Sequence, residues 1–322
     1  MTDYLLERAL LPDGVRDDVL VEIVDGRFAS VEPGTLSGAA ERLPGLTIPG
    51  LANTHSHAFH RALRGRTQRE RGSFWTWREQ MYAVAERLDP DTYLALATAT
   101  FREMIAAGIT CVGEFHYLHH QPDGRPYDEP NAMGLALIEA ARVAGLRITL
   151  LDTLYLSSGF GAAPEGAQVR YDDGSVDAWA SRVAELANTD SARIDGALHS
   201  VRALPKDPAA ALGPLAAWAA GRPLHVHLSE QVAENDGCAA AYGVSPTRLL
   251  ADHGLLGPLT SAVHATHLTD DDIALLGEAR AFVSLCPTTE RDLGDGVGPS
   301  RGLADAGARL TLGSDSHAVI DL

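Results

Sequence analysis

The hydrophobic positions of this chain follow two different patterns. In residues 18 to 33, DVLVEIVDGRFASVEP, apolar and polar residues alternate on both sides of Asp25-Gly26. This pattern predicts a β-hairpin, because an Asp-Gly pair suits a tight two-residue turn. From about Leu46 the pattern changes to short β-rich runs that alternate with Ala- and Leu-rich helical stretches. We therefore predict a small β element in residues 1 to 45 and a larger domain in residues 46 to 322.

The larger domain contains eight β-rich runs separated by helical stretches or loops. Helix ends are visible as well: in LDPDTYLALATATFREMIAAG, Asp89 can cap the helix, Pro90 suits its first turn and Gly108 can end it. This alternation predicts the α/β class and a closed parallel (β/α)8 barrel. An open doubly wound sheet is disfavoured, since ANTHSHAFH after the first run has no glycine-rich phosphate loop. The eight runs cover residues 46 to 55, 109 to 117, 146 to 155, 193 to 202, 223 to 230, 261 to 268, 281 to 290 and 309 to 316.

Polar residues stand at the ends of six of these runs. Because the carboxyl ends of all barrel strands meet at one mouth, residues at those ends are candidates for one shared site. His55 and His57 alternate along an extended chain, so both side chains point the same way. The candidates are His55 and His57 on the first strand, His116 and Tyr117 on the second, His199 and Arg202 on the fourth, His227 and Glu230 on the fifth, His264 on the sixth and Asp315 on the eighth.

Four of these residues form a candidate metal site: His55, His57, His227 and Asp315. A single H-x-H pair is a weak signal, but ligands from the fifth and eighth strands strengthen it. Three imidazoles and one carboxylate suit Zn²⁺, with Fe²⁺ as the second choice. Bound zinc can lower the pKa of its water from 15.7 to about 7, an effect of roughly 12 kcal/mol. Asp315 could then accept a proton, and Glu230 and His264 could pass protons to a leaving nitrogen.

Composition and charge exclude several classes of protein. The chain has 322 residues, 45% hydrophobic and 21% charged, which is ordinary for a globular protein. Its three cysteines lack CxxC spacing, so neither a disulfide framework nor a thiolate zinc site is expected. A net charge of -17 disfavours nucleic acid and anionic membrane as partners. Without a signal peptide or a long apolar run, a soluble cytoplasmic protein is expected. An acidic small substrate would need a local cluster of arginines.

Several motifs carry a resemblance to a known family. HSHAFHR, HLSE, VHATH and LGSDS are similar to motifs of the amidohydrolase superfamily, in its mononuclear-zinc deaminase branch. More narrowly, SFWTWREQMY, GEFHYLHH, LHSVRAL, CPTTERDLGDG and GSDSHAVIDL resemble the formimidoylglutamate deiminases of histidine breakdown. The resemblance extends from about Asp18 to the last residue. The tryptophan-rich segment and EFHYLHH are more specific than the metal motif.

The resemblance implies a reaction and a role for each matching residue. N-formimino-L-glutamate and water would give N-formyl-L-glutamate and ammonia, with one Zn²⁺ as cofactor and a homodimer as the assembly. His55, His57, His227 and Asp315 would hold the zinc, and Glu230 and His264 would serve as proton shuttles. The family commonly has glutamine where this chain has His60, and an imidazole can also donate and accept a hydrogen bond. The expected substrate contacts are His60, Arg78, Tyr117, His199 and Arg202.

Two alternatives remain at this point. The chain could be a related deaminase acting on a ring amidine such as guanine, in which case Arg78 and Arg202 would matter little. It ends at Leu322, shortly after Asp315, whereas family members continue through another helix and further β-strands. A truncated barrel without stable activity is therefore the other alternative. In that case the N-terminal hairpin is expected to lack sheet partners and the eighth strand to lack its covering helix.

Overall fold

The computed structural model describes residues 2 to 67, 74 to 317 and 319 to 320. The chain divides into two compact units, Met1–Leu51 and Ala52–Leu322. The boundary predicted between residues 45 and 46 stays a prediction, because compactness alone does not define a domain that folds independently.

The first unit is a four-stranded sheet, as far as its described residues show. The predicted hairpin is confirmed, because the second and third strands of the sheet pair antiparallel. The turn residues between them, Asp25 and Gly26, have φ angles of 52° and 73°. The expectation that this hairpin lacks sheet partners is wrong, because the first strand pairs with it and with the fourth strand. The strands are β1 (Thr2–Leu11), β2 (Gly14–Val24), β3 (Arg27–Glu32) and β4 (Glu41–Thr47), in the spatial order β3-β2-β1-β4.

The run predicted as one strand over residues 46 to 55 is divided between two strands. Its first residues end β4, whereas its last residues belong to the first strand of the barrel, which begins at Leu51. Pro49 lies in the break between them, and proline has no N–H to donate to a β-ladder.

In the described part of the second unit, eight strands form one sheet in sequential order, and the ladders that join its second to its eighth strand are all parallel. The first and last strands meet: the Asp315 amide donates to the His55 carbonyl at 3.0 Å, and the His57 amide donates to the Asp315 carbonyl at 3.3 Å. The (β/α)8 barrel is therefore confirmed. Its strands are β5 (Leu51–Ser56), β6 (Ile109–His116), β7 (Arg147–Leu154), β8 (Ala192–Leu198), β9 (Leu224–Leu228), β10 (Thr260–His264), β11 (Phe282–Leu285) and β12 (Arg309–Leu312).

The helices follow the strands, and the clearest sequence signals for their ends are confirmed. Asp89 caps the second helix, where its carboxylate accepts the Thr92 amide at 2.8 Å, and Gly108 follows the last turn with a φ of 85°. Within the described residues, no helix has both the length and the apolar character needed to cross a membrane. The helices are α1 (Phe74–Ala85), α2 (Pro90–Ala106), α3 (Ala132–Ala144), α4 (Val176–Val183), α5 (Ala209–Ala219), α6 (Val232–Tyr242), α7 (Pro246–Asp252), α8 (Asp270–Glu278), α9 (Pro287–Leu293) and α10 (Ser300–Ala306).

Buried apolar side chains form two clusters in the barrel unit, and each fully buried Leu or Phe contributes about 1.5 to 3 kcal/mol relative to exposure. One cluster includes Phe101, Met104 and Leu137, and the other includes Leu212, Leu224 and Leu276. These clusters hold the strands in place, so that the strand ends can carry polar groups.

Candidate active site

Three histidines and one aspartate converge at the mouth of the barrel. His55 comes from β5 and His57 directly follows that strand, whereas His227 comes from β9 and Asp315 from the segment after β12. One ligand atom from each residue lies within 4.8 Å of the others. The Nε2 atom of His227 lies 3.2 Å from that of His55 and 3.3 Å from that of His57. The Oδ1 atom of Asp315 lies 3.2 Å from His55 Nε2 and 3.3 Å from His57 Nε2.

Hydrogen bonds orient two of these imidazoles toward the common centre. The Nδ1 of His57 lies 2.9 Å from the Phe115 carbonyl, and the Nδ1 of His227 lies 2.9 Å from the His199 carbonyl. A carbonyl can only accept, so each Nδ1 carries the hydrogen and each Nε2 keeps a lone pair. Burial lowers the pKa of His55, His57 and His227, and this favours the neutral form that a metal ligand needs.

The cluster fits a divalent metal ion. Zn–N bonds of about 2.0 to 2.1 Å would place tetrahedral ligands about 3.3 to 3.4 Å apart. The four separations of 3.2 to 3.3 Å agree with this spacing. Without a cation, three imidazole lone pairs and a carboxylate would face one another in a buried place, which is unfavourable. The donor set and its spacing therefore match a metal centre.

The backbone at the strand ends adopts conformations that non-glycine residues rarely take. Ser229, His264 and Asp315 have φ angles of 50°, 67° and 47°. Such conformations cost about 1 to 3 kcal/mol each and cluster at functional sites. Here the turns after β9, β10 and β12 set the direction of Glu230, His264 and Asp315.

Gly313 allows β12 to approach β5 closely at the metal cluster. A Cβ atom at this position would lie 2.8 Å from His55 Cβ and 2.9 Å from the His55 carbonyl oxygen. Both contacts are shorter than real Cβ atoms tolerate, so any larger residue would displace the backbone that carries His55.

A buried polar network supports the segment at the end of β5, where His55 and His57 lie. The Ser56 hydroxyl donates to Glu114 of β6, and the Ala58 amide donates to the same carboxyl group at 2.6 Å. His317 Nε2 lies 2.8 Å from the Ser56 oxygen. Burial raises the pKa of Glu114 to about 8. This network ties β5, β6 and the segment after β12 together beneath the cluster.

Glu230 and His264 form an interacting pair beside the metal cluster. His264 Nε2 lies 3.9 Å from Glu230 Oε1, and both side chains are buried. Burial raises the pKa of Glu230. For His264, burial lowers the pKa, but Glu230, Cys286 and Glu290 together outweigh that effect and the net shift is upward. A carboxyl group and an imidazole whose pKa values are both raised suit the predicted transfer of protons.

Two arginines lie in the same cleft, away from the metal cluster. Arg78 of α1 donates its Nε hydrogen to the Tyr82 hydroxyl at 2.6 Å. Arg202 approaches two carboxylates: its Nε lies 3.3 Å from Glu234 Oε2, and its Nη2 lies 3.8 Å from Glu230 Oε2. Burial lowers the pKa of Arg202, but these two carboxylates outweigh it and raise the pKa. The cleft therefore presents two cationic groups in a protein of net charge -17.

The remaining predicted substrate contacts line this cleft. His60 Nε2 lies 3.0 Å from the Tyr117 hydroxyl, and His199 Nδ1 lies 3.2 Å from the Ser200 hydroxyl. The cleft encloses about 690 Å³ of empty space, part of which is open to solvent. The structure thus brings all the predicted site residues together, and their individual roles stay predictions. The predicted site residues that line the cleft are His57, His60, Arg78, Tyr117, His199, Arg202, His227, Glu230, His264 and Asp315.

The three histidines of EFHYLHH have a different environment. His116 faces α3, where its Nε2 would be 3.5 Å from a Cβ at Gly134. His119 Nε2 lies 2.9 Å from the Thr153 carbonyl, and His120 Nε2 lies 3.2 Å from Asp173. Arg182 joins Asp173 and Asp152 at 2.8 Å each. This buried network holds the segment that follows Tyr117. The EFHYLHH motif therefore supports the site through residues that lie outside the cleft.

Two buried glutamates in the site were missed by the sequence reasoning. Glu234 pairs with Arg202, and Glu290 lies 3.5 Å from His264 Nδ1. Each lies in the first turn of a helix that follows a barrel strand. An acidic residue there is also typical of an ordinary helix N-terminus, so the position alone gives no clear signal. For Glu290, the CPTTERDLGDG motif was the one available indication.

Comparison with known proteins places the chain in a family. The sequence profile described as "Amidohydrolase family" matches residues 46–322. The chain belongs to the amidohydrolase family. Enzymes of this family are typically metal-dependent, in agreement with the histidine and aspartate cluster. This amidohydrolase is a hydrolase that acts on a carbon–nitrogen bond of a small substrate. A second profile, "Formimidoylglutamate deiminase HutF, N-terminal domain", matches residues 6–45 of the amidohydrolase.

Individual relatives agree with that assignment. The amidohydrolase is 38% identical over 334 residues to a formimidoylglutamate deiminase of Pseudomonas aeruginosa, covering 100% of this chain and 72% of the relative. It is 27% identical over 325 residues to an 8-oxoguanine deaminase of the same species, covering 95% of this chain and 67% of the relative. A crystal structure of an amidohydrolase from Brucella melitensis has a TM-score of 0.93 and 36% identity, covering 100% of this chain and 73% of that one.

Proposed function

We propose that this amidohydrolase hydrolyses N-formimino-L-glutamate to N-formyl-L-glutamate and ammonia, a deimination in histidine degradation. The observation that carries the proposal is the composition of one cleft. It joins a metal-type cluster, the Glu230–His264 pair and two arginines. The similarity to the Pseudomonas aeruginosa formimidoylglutamate deiminase supports the same reaction.

The two arginines match a substrate with two carboxylates. A guanidinium group can bind a carboxylate through two parallel hydrogen bonds, and this geometry suits Arg78 and Arg202. In a protein with a net charge of -17, a dianionic substrate is repelled unless such groups line its site. A ring amidine such as guanine carries no carboxylate, so it would leave this cationic part of the cleft unused.

In the proposal, His55, His57, His227 and Asp315 hold one divalent ion. Zinc is favoured and Fe²⁺ is the alternative, because imidazole and carboxylate donors suit both ions. When bound there, zinc supplies Lewis acidity that lowers the pKa of water from 15.7 to about 7.

The residues of the chain bind the substrate and move the protons. Arg78 and Arg202 bind the two carboxylates, while His60, Tyr117 and His199 contact the remaining polar groups. As water adds to the formimino carbon, Asp315 accepts one of its protons. Glu230 and His264 then deliver this proton and the second proton of the water to the terminal nitrogen, the bond between carbon and that nitrogen breaks, and ammonia leaves as the carbonyl group forms. The carbon retains its bond to the glutamate nitrogen, which gives the N-formyl product.

The identity of the products tests this reaction. The protein, loaded with zinc, is incubated with N-formimino-L-glutamate, and the products are identified by carbon-13 NMR. The proposal predicts equal amounts of ammonia and N-formyl-L-glutamate. The addition of water to the same carbon could instead expel the glutamate nitrogen and give formamide and L-glutamate. Formation of that second pair would contradict the deimination.

Arg202→Ala is expected to weaken the use of this substrate strongly. Removal of one member of a buried charge pair with the substrate should weaken transition-state binding by about 2 to 5 kcal/mol and lower kcat/KM accordingly. Steady-state kinetics on N-formimino-L-glutamate measure the change. A loss below tenfold would contradict a direct contact between Arg202 and substrate.

The neighbouring carboxylate provides the control for that variant. Arg202→Ala also leaves Glu234 buried without its 3.3 Å ion pair, and burial already raises the pKa of Glu234 to about 7. The double variant Arg202→Ala, Glu234→Gln removes this unpaired group. If Arg202 acts on the substrate, the double variant stays as slow as the single one. Recovery of activity in the double variant would instead assign the loss to Glu234.

The proposal also includes the cell compartment and the assembly. On the basis of the family resemblance and the acidic composition, we propose a homodimer in the cytoplasm that has no nucleic-acid or membrane partner.

A further inference from the structure

His264 lies between two glutamates, and only one of them faces the reacting groups. Its Nε2 lies 3.9 Å from Glu230, and its Nδ1, on the opposite side of the ring, lies 3.5 Å from Glu290 Oε1. Glu290 is buried and is absent from the lining of the cleft. From this position it can act on the ring of His264.

The Glu290 carboxylate is held in a fixed position. Its Oε1 accepts the Cys286 amide at 2.8 Å, across the first turn of α9. Pro287 begins this helix with the restricted φ angle that proline imposes. The oxygen that faces His264 is therefore anchored to the backbone, and its direction does not depend on His264.

We propose that Glu290 is a positioning residue that holds the Nδ1 hydrogen of His264, so that Nε2 faces Glu230 and the leaving nitrogen. This inference rests on the proposed function, in which His264 carries a proton. A His ring that lacks such a partner can rotate or exchange its tautomer, and either change removes Nε2 from the proton path. The same arrangement orients the imidazole in other enzymes where a carboxylate lies behind a catalytic histidine.

The backbone anchor also determines which substitutions are informative. In Glu290→Gln the amide oxygen should stay toward the Cys286 N–H, because that backbone donor needs an acceptor. The same oxygen can then still accept from His264 Nδ1. Glu290→Ala removes this carboxylate acceptor and leaves the Cys286 sulfur, a weak acceptor, as the neighbour of the ring on this side. Asp292→Asn is the matched control, because Asp292 lies on the same helix and pairs with Arg291 at 3.3 Å.

Kinetics of the zinc-loaded variants on N-formimino-L-glutamate provide the first test. Glu290→Ala should lower kcat on the order of 10²-fold, part of what general acid–base catalysis contributes, with KM and metal content nearly unchanged. Glu290→Gln should stay within about tenfold of the wild type, since a neutral acceptor is weaker but present. Asp292→Asn should match the wild type. An equal loss of kcat in the Gln and Ala variants would overturn the proposal. So would a raised KM or a lowered metal content with kcat unchanged.

Nitrogen-15 NMR of the histidine rings tests the same inference without turnover. The His264 signals are identified by their disappearance in His264→Gln. The proposal predicts a protonated Nδ1 on His264 in the wild type and in Glu290→Gln. An unprotonated Nδ1 in the wild type would overturn it, even if Glu290→Ala fails to fold. If the wild type releases no ammonia from N-formimino-L-glutamate, the proposed function fails, whereas this NMR result still decides the position of the ring.

Discussion

A His227→Ala variant is expected to lose its bound metal and its activity together. His227 is the member of the cluster whose Nε2 lies 3.2 Å from that of His55 and 3.3 Å from that of His57. Without it, His55, His57 and Asp315 remain to hold the ion. Because acidification of water by zinc is an effect of roughly 12 kcal/mol, we expect activity to fall below detection.

Metal content and thermal stability measure this outcome. Metal analysis of the wild type should give one equivalent per chain, and the variant should retain little. Zinc at about 1,000 times its Kd should stabilise the wild type by roughly 4 kcal/mol and raise its Tm, whereas the variant should show no such rise.

His225 offers a matched control on the same strand. It lies two residues before His227 and is outside the cluster of ligand atoms. A His225→Asn variant should therefore keep one equivalent of metal. Full retention of metal by His227→Ala, or an equal loss in both variants, would contradict the assignment of His227 as a ligand.

Glu230→Gln is expected to abolish most turnover while the metal stays bound. Glutamine has the shape of glutamate but cannot carry a proton between water, His264 and the leaving nitrogen. General acid–base catalysis is typically worth about 10² to 10⁴ in rate, so kcat should fall by that range. Glu230 is not among the four clustered ligand residues, so metal content should equal that of the wild type.

An exposed carboxylate on α6 provides the comparison for this variant. Asp236→Asn removes the same charge from the neighbouring helix and should leave both kcat and metal content unchanged. Loss of metal in Glu230→Gln would mean that Glu230 is itself a ligand. A kcat within tenfold of the wild type would mean that another group carries the proton.

The architecture of the barrel could be predicted from the sequence because its pattern repeats. Each strand run is followed by helical or loop sequence, and a parallel barrel brings the carboxyl ends of its strands to one mouth. For this reason His57 and His227, 170 residues apart, could be expected to lie side by side, and their Nε2 atoms are 3.3 Å apart. Strand alternation placed His55 and His57 on the same face.

The N-terminal sheet was harder to predict. β1 and β4 complete this sheet, but the alternation in β1 is interrupted by Glu7 and Arg8, and β4 is joined in sequence to the apolar residues of β5. The sequence of a short apolar run does not determine which sheet the run joins, because strand pairing depends on distant residues.

The supporting residues of the site depend on tertiary geometry. Glu234 and Glu290 reach Arg202 and His264 only because the turns after β9 and β11 bring two helix N-termini over the mouth. Similarly, His119 and His120 follow a strand end but bind Thr153 and Asp173 outside the cleft. Sequence position indicates which strand end a residue follows, but the direction of its side chain depends on the packing of neighbouring elements.

The most direct measurement is ammonia release by the zinc-supplemented protein, offered N-formimino-L-glutamate and guanine in parallel. A cleft lined by two arginines as well as the metal cluster predicts rapid release from the dicarboxylate substrate and none from guanine. Release from guanine alone would contradict the role of Arg78 and Arg202. Release from neither substrate, with one metal ion bound per chain, would contradict the proposed deimination itself.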